Sequence, residues 1–251
     1  MIPNVYVVGF TKCATTSLYE AIKNKPKQVT VCPTHKENTW FLKDAHLGKD
    51  YLDSLYPNPM LNDVCVDFHP NNAIVPYVPL RIKEVCPEAK VIMIIREPIA
   101  RAYSEIMHFH TMRIGRELEP HAAMEMNLRD IEFFKYDTER EYMLQIDPRG
   151  GFYDRRYFER GCYHHYIKMY QNAGLEPKVF FFEDIIRGGS ALQELADYIG
   201  VDSIDLPKVN SKSGSGSFDD NVVGCLREVY KPHNDVLSEL LNVDVERKWY
   251  S

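Results

Sequence analysis

Residues 4–23 read NVYVVGFTKCATTSLYEAIK. Asn4–Val8 is a short β-branched and aromatic run of strand type. It meets Gly9, a polar stretch follows, and from Ser17 onward the residues favour a helix. Strand, phosphate-friendly loop and helix make the opening unit of an α/β fold. Such a loop aims free backbone N–H groups and the positive end of the helix dipole at an anion. Lys12 adds a full charge, and Thr15, Thr16 and Ser17 add hydroxyl donors. The same residues also fit an ordinary strand–turn–helix with Ser/Thr caps. The loop is not a Walker A sequence, where Lys directly precedes Ser/Thr. Lys12 stands three residues before Thr15, so the Mg²⁺ arrangement of a nucleotide triphosphatase is not supported.

Working outward, strands alternate with helices. Strands are expected at Gln28–Cys32, Val64–Phe68, Lys90–Ile95 and Val179–Phe182, the last ending at Glu183-Asp184. KVIMII at Lys90–Ile95 has the unbroken apolar character of a buried parallel strand. Helices are expected over 77–86, from Pro98 to about His110, over Asp154–Asn172, over Ser190–Ile199 and over Asn221–Leu241. Gly174 and Gly200 follow two of them as stops. Residues 113–150 read as helix plus a mobile segment closing over a site, and 208–220 as a Ser/Gly-rich loop. The pattern predicts an α/β fold with a central, mainly parallel sheet and helices on both faces, with residues 1–251 as one domain.

A second motif joins the first. REPIARAYS over 96–104 puts Arg96 at the C-terminal end of a strand, the edge where open α/β sheets bind ligands. Ser104 lies about two turns into the following helix. An Arg plus a hydroxyl there can hold a phosphate. Arg101, three residues before Ser104, reads by default as a surface ion-pair former.

Together the two motifs resemble those of the sulfotransferase family that uses 3′-phosphoadenosine 5′-phosphosulfate (PAPS). GFTKCATTSL resembles the 5′-phosphosulfate loop, and REPIARAYS the R-x-P-x-x-R-x-x-S motif for the 3′-phosphate. HKENTWFL, YFERGCYHHYIKMYQNAGLEPKVFFFEDI and YKPHNDVLSELL are similar to further segments of the heparan-sulfate-type branch and its bacterial small-molecule relatives. Ala14 departs from the family's glycine, which is favoured where φ is positive or a phosphate comes close.

The resemblance implies a P-loop-like fold and in-line sulfuryl transfer from PAPS, leaving adenosine 3′,5′-bisphosphate (PAP). It implies a cofactor loop of Thr11, Lys12, Cys13, Ala14, Thr15, Thr16 and Ser17, with Lys12 neutralising charge on the leaving phosphate. It implies that Arg96 and Ser104 hold the 3′-phosphate. Ser211, Lys212 and Gly214 are candidates to fold over the phosphates, or simply a surface loop. Glu37 aligns with the branch's general base, and His35 is the rival because imidazole titrates near neutrality. Lys36 is a candidate to assist the leaving group. Tyr163 lines the cleft or belongs to the core. Asp67, His69 and the aromatics Phe133, Phe134, Tyr136 and Tyr142 are candidates to face the acceptor.

Composition narrows the partners. The formal net charge of −6 over 251 residues argues against nucleic acid and against a heavily sulfated polysaccharide. A small-molecule or natural-product acceptor is expected instead. No apolar run approaches the roughly 20 residues of a membrane span, and the start does not read as a signal peptide. A cytoplasmic enzyme is the expectation. Six scattered cysteines without a C-x-x-C pair predict reduced, mostly buried thiols. His108 and His110 are two apart on a helix, and His164-His165 lacks metal-ligand spacing, so no metal is expected. The competing classes are a nucleotide-dependent small-molecule kinase and a non-catalytic nucleotide-binding scaffold. The sequence leaves oligomeric state open.

Overall fold

The computed structural model describes residues 1–250 except 59, 112–118, 130, 132, 134–155 and 208–215. One sheet holds β1 (Val5–Gly9), β2 (Thr30–Val31), β3 (Cys65–Phe68), β4 (Lys90–Ile95) and β5 (Pro177–Phe181). Their order is β2-β3-β1-β4-β5, and every pairing is parallel. Val7 of the central strand faces Phe68 on one side and Ile92 on the other. All of β1 and Val91–Ile95 of β4 are buried. Parallel strands covered on both faces require that continuous apolar run.

The helices among the described residues are α1 (Thr15–Lys23), α2 (Gly48–Ser54), α3 (Val78–Val85), α4 (Pro98–Thr111), α5 (Pro120–Arg129), α6 (Tyr163–Asn172), α7 (Phe182–Arg187), α8 (Ser190–Ile199), α9 (Asp220–Leu241) and α10 (Val245–Tyr250). The main core packs on the sheet. A second, smaller core joins Ile99, Ala102 and Ile106 of α4 to Ala123 and Met124 of α5 and Leu226 and Tyr230 of α9. All six cysteines are free, and four of them are buried.

Three sequence expectations need correction. Asp154–Asn172 is not one helix: the described part has a 3₁₀ turn at Glu159–Gly161 and becomes α-helical only at Tyr163. Tertiary partners override helix propensity there. Asn127 donates to Glu159 at 2.8 Å, Arg160 pairs with Glu105, and Gly161 sits so tightly that a Cβ would meet the Tyr230 hydroxyl at 2.7 Å. The strand expected at Val179–Phe182 starts earlier, at Pro177, and yields to α7 at Phe182. Pro177 is tolerated because β5 is an edge strand. The expected second strand shrinks to two residues. Of the segment 113–150, the described residues contribute α5, while Phe134, Tyr136 and Tyr142 lie outside them.

The topology fixes where ligands can sit. The chain leaves β1 towards β2 on one side of the sheet and leaves β4 towards β5 on the other. β1 and β4 are neighbours, so their C-terminal ends flank a topological switch point. The loop 10–14 and residues 96–97 border that crevice.

Candidate active site

Gly9 ends β1 where only a glycine fits, since a Cβ would lie 2.5 Å from that of Ala73. The chain then turns through two left-handed residues, Lys12 at φ 64° and Ala14 at φ 61°. Ala14 is the N-cap of α1, and no side chain caps the helix. Uncapped N–H groups at a helix start are anion donors. Ala14 therefore occupies the position where the family pattern has glycine, in the backbone region glycine prefers. Ala14→Gly is expected to raise Tm by about 1–3 °C. It removes about 1–2 kcal/mol of left-handed cost and returns about 0.4–1 kcal/mol of chain entropy. Paired thermal melts test this; a lower Tm for the variant would mean that the methyl packs to advantage.

Three cations converge on this loop. Lys36 Nζ donates to Thr15 Oγ1 at 3.1 Å, to Thr16 Oγ1 at 3.0 Å and to Glu37 Oε1 at 3.0 Å. Arg96 Nη1 donates to the Lys12 carbonyl at 3.2 Å. Its guanidinium lies over the Phe182 ring at 4.6 Å, and its backbone N–H and carbonyl both engage the Tyr163 hydroxyl. Tyr163 is thus fully buried core that also anchors the Arg96 backbone. Burial pulls the Lys12 pKa down, Arg96 and Lys36 pull the same way, and Glu105 opposes them. A bound anion would relieve this repulsion.

Beneath the loop lies an ion cluster that the sequence reading missed. Arg101 is fully buried rather than on the surface. It donates to Glu105 Oε2 at 2.7 Å and to the Tyr157 carbonyl. Arg160 pairs with Glu105 Oε1, and Thr11 Oγ1 donates to the same oxygen at 2.8 Å. Burial alone would raise the Glu105 pKa, but Arg160 and Arg101 outweigh it and hold it low. Thr11 therefore spends its hydroxyl on the core. Cys13 is also turned inward, its Sγ at 3.5 Å from the Thr11 carbonyl and its thiol pushed up to about 12 by burial. Both leave only backbone to a ligand.

The two candidate bases differ in surroundings. His35 is exposed and its Nδ1 lies 2.9 Å from Thr34 Oγ1. Glu37 shares Lys36 with the start of α1. Burial would raise its pKa, yet His69, Lys36 and His108 bring it below the ordinary value. His69 is buried, accepts from the Asn71 N–H through Nδ1, and is held at about 4 by burial. His108 on α4 is lowered by burial and by Lys12. Sequence reading weighed His108 only as a metal ligand. Its place one helical turn beyond Ser104 and Glu105 was the available signal.

Asp67 does not face an acceptor. It lies within β3, 1% exposed, where its carboxyl accepts from Tyr56, Asn38 and, at 3.3 Å, Asn72. Asn38 follows Glu37, so this network braces the Lys36–Glu37 segment. Burial lifts Asp67 from 3.8 to about 7. The folded chain then binds the extra proton between those values, so this group makes stability fall as pH rises from about 4 to about 7. His69, lowered from 6.5 to about 4, acts oppositely, costing stability as pH falls through that window. Asp67→Asn removes the first effect and leaves the second. Relative to the parent, the variant should gain up to about 1.4 kcal/mol per pH unit on going from pH 4 to 7. Denaturant titrations across that range read it, and a constant gap would mean that Asp67 is already ionised in the fold.

Ser104 sits partly exposed on α4. Thr15 and Thr16 face Lys36, and Ser17 lies in the first turn of α1. Ser211, Lys212 and Gly214 lie outside the described residues.

The five-stranded parallel sheet flanked by helices is the fold of solved sulfotransferases. A sulfotransferase from Alicyclobacillus acidocaldarius superposes with a TM-score of 0.73 at 19% identity over 97% of each chain. Mouse sulfotransferase SULT7A1, solved in complex with PAP, superposes with a TM-score of 0.55 at 16% identity, covering 99% of this chain and 89% of its own. No protein-family model matches the chain. By sequence, the mouse heparan sulfate glucosamine 3-O-sulfotransferases 3B1 and 3A1 are each 24% identical over 104 residues, 41% of this chain. The match spans 26% of the length of those relatives.

Proposed function

We propose that this chain is a PAPS-dependent sulfotransferase of the EC 2.8.2 kind, moving a sulfuryl group to a hydroxyl or amine of a small or medium acceptor. The observation that carries the proposal is the convergence of Lys12, Lys36 and Arg96 on the uncapped start of α1 at the switch point between β1 and β4. Three cations and unspent helix N–H groups suit a doubly phosphorylated donor. PAPS, when bound, supplies the activated sulfuryl group. On this reading Lys12 and Lys36 neutralise the 5′-phosphate, and Thr15, Thr16 and Ser17 hold it. Arg96 and Ser104 take the 3′-phosphate. Glu37, paired with Lys36, accepts the acceptor's proton, with His35 as the rival base. Ser211, Lys212 and Gly214 are proposed to cover the cofactor. No step in this scheme calls for a metal.

The net charge of −6 supports a small-molecule or natural-product acceptor over a polyanion. The single sheet supports treating residues 1–251 as one domain. No helix among the described residues is long and apolar enough to cross a membrane, and a cytoplasmic setting is part of the proposal. A thermal-shift titration with PAP, AMP and Mg-ATP tests the donor. PAP at a hundred times its Kd should add about 2.7 kcal/mol of stability, with AMP far weaker. Equal shifts with AMP would remove the roles of Arg96 and Ser104, and a shift with Mg-ATP alone would turn the reading to a kinase. Turnover with labelled PAPS and an acceptor panel separates an enzyme from a scaffold.

A further inference from the structure

We infer that His164, His165 and His233 form a binding site for one divalent transition-metal cation of the zinc, cobalt or nickel kind, clamping α6 to α9. His164 and His165 open α6, and His233 reaches them from α9, 69 residues away from His164. His164 Nε2 lies 3.0 Å from His233 Nδ1, and one nitrogen from each of the three rings falls within 4.8 Å of the others. Tetrahedral zinc with nitrogen ligands at about 2.0–2.1 Å holds them about 3.4 Å apart. The pair is already closer than that, and a nitrogen of the third ring lies within 4.8 Å of both.

Two further observations point to a ligand. His164 is 7% exposed; its Nε2 meets His233, and its buried Nδ1 has no hydrogen-bond partner. The cluster also has an apolar wall: the Phe133 ring lies 4.3 Å from His165 and 5.9 Å from His233, with Phe158 at 5.6 Å from His233. An apolar shell limits the access of water to a metal site. Burial lowers the pKa of all three imidazoles, and the neighbouring imidazoles add to this at His164 and His165. Lys168 on the next turn of α6 contributes to that lowering at His164 and His165, and it is exposed. Three imidazoles without a carboxylate suit zinc, cobalt or nickel and not magnesium or calcium. His164 follows Tyr163, whose hydroxyl holds the Arg96 backbone, so a clamp here steadies the wall of the proposed cofactor site.

The test uses the full chain, stripped with chelator and titrated with Co²⁺ alone, then with Zn²⁺. One equivalent of Co²⁺ should give intense visible bands of a low-coordinate site and a higher Tm, and Zn²⁺ should displace it. Mg²⁺ should do neither. His233→Gln and His165→Gln should each weaken binding at least tenfold. His165 is only half-buried, so its variant serves even where His233→Gln misfolds. Absence of bands and of a Tm shift in the parent overturns the site, as does binding that both variants leave unchanged. These readouts do not involve sulfuryl transfer, so failure here is separate from failure of the proposed function.

Discussion

Lys12→Met is expected to lower sulfuryl transfer about 10²–10³-fold while leaving the fold at least as stable as the parent. Both halves follow from the position of Lys12. It sits in the left-handed loop after β1, its carbonyl bonded to Arg96 and its ammonium sharing a partly buried space with Arg96 and Lys36. Its lowered pKa means that folding with this charge in place is unfavourable. An uncharged side chain of similar length removes that cost. What it forfeits is the charge that we propose stabilises the leaving phosphate, an interaction made fully only in the transition state. Single-turnover kinetics with labelled PAPS, alongside thermal melts, measure both. A rate within tenfold of the parent would take Lys12 out of the chemistry, and a sharply lower Tm would make it structural.

Glu105→Gln should cost about 3–5 kcal/mol of stability, the largest single-site loss foreseen here. Glu105 is 1% exposed and is the carboxylate shared by Arg101 and Arg160, which are themselves buried. Removing it takes from two buried guanidinium groups the carboxylate they share. Replacing the whole cluster, with Arg101→Met, Glu105→Leu and Arg160→Met together, should recover much of the loss, because the charges and their desolvation go together. The same carboxylate receives the Thr11 hydroxyl. Glu105→Gln is therefore also expected to loosen the loop after β1 and, on the proposed function, to weaken PAP binding. Denaturant titration of the two variants measures the stability change. A loss under about 1 kcal/mol for Glu105→Gln would place this cluster among weak ion pairs.

Legibility differed between strands and site for a physical reason. β1 and β4 are visible in sequence because burial on both faces demands unbroken apolar runs. β2 and β5 are edge strands, so their ends follow from neighbours and not from pattern. The helix expected from Asp154 fails for a similar reason. Arg160 and Glu159 are drawn to Glu105 and Asn127, partners distant in sequence, against their own helical preference.

By itself the sequence determined the α/β class, the phosphate-type loop around Lys12, the placement of Arg96 at a strand end and the departure at Ala14. Each is a local matter of residue type, period or motif spacing. Only the tertiary structure decided which side chains share a space. It set Lys36 on the hydroxyls of Thr15 and Thr16, sank Arg101 beneath the loop and spent Thr11 on Glu105. It locked Asp67 under Glu37's segment and carried His233 to His164. Charge neutralisation and hydrogen bonding act through space over a few ångströms, and residues dozens of positions apart enter that range only when the sheet assembles.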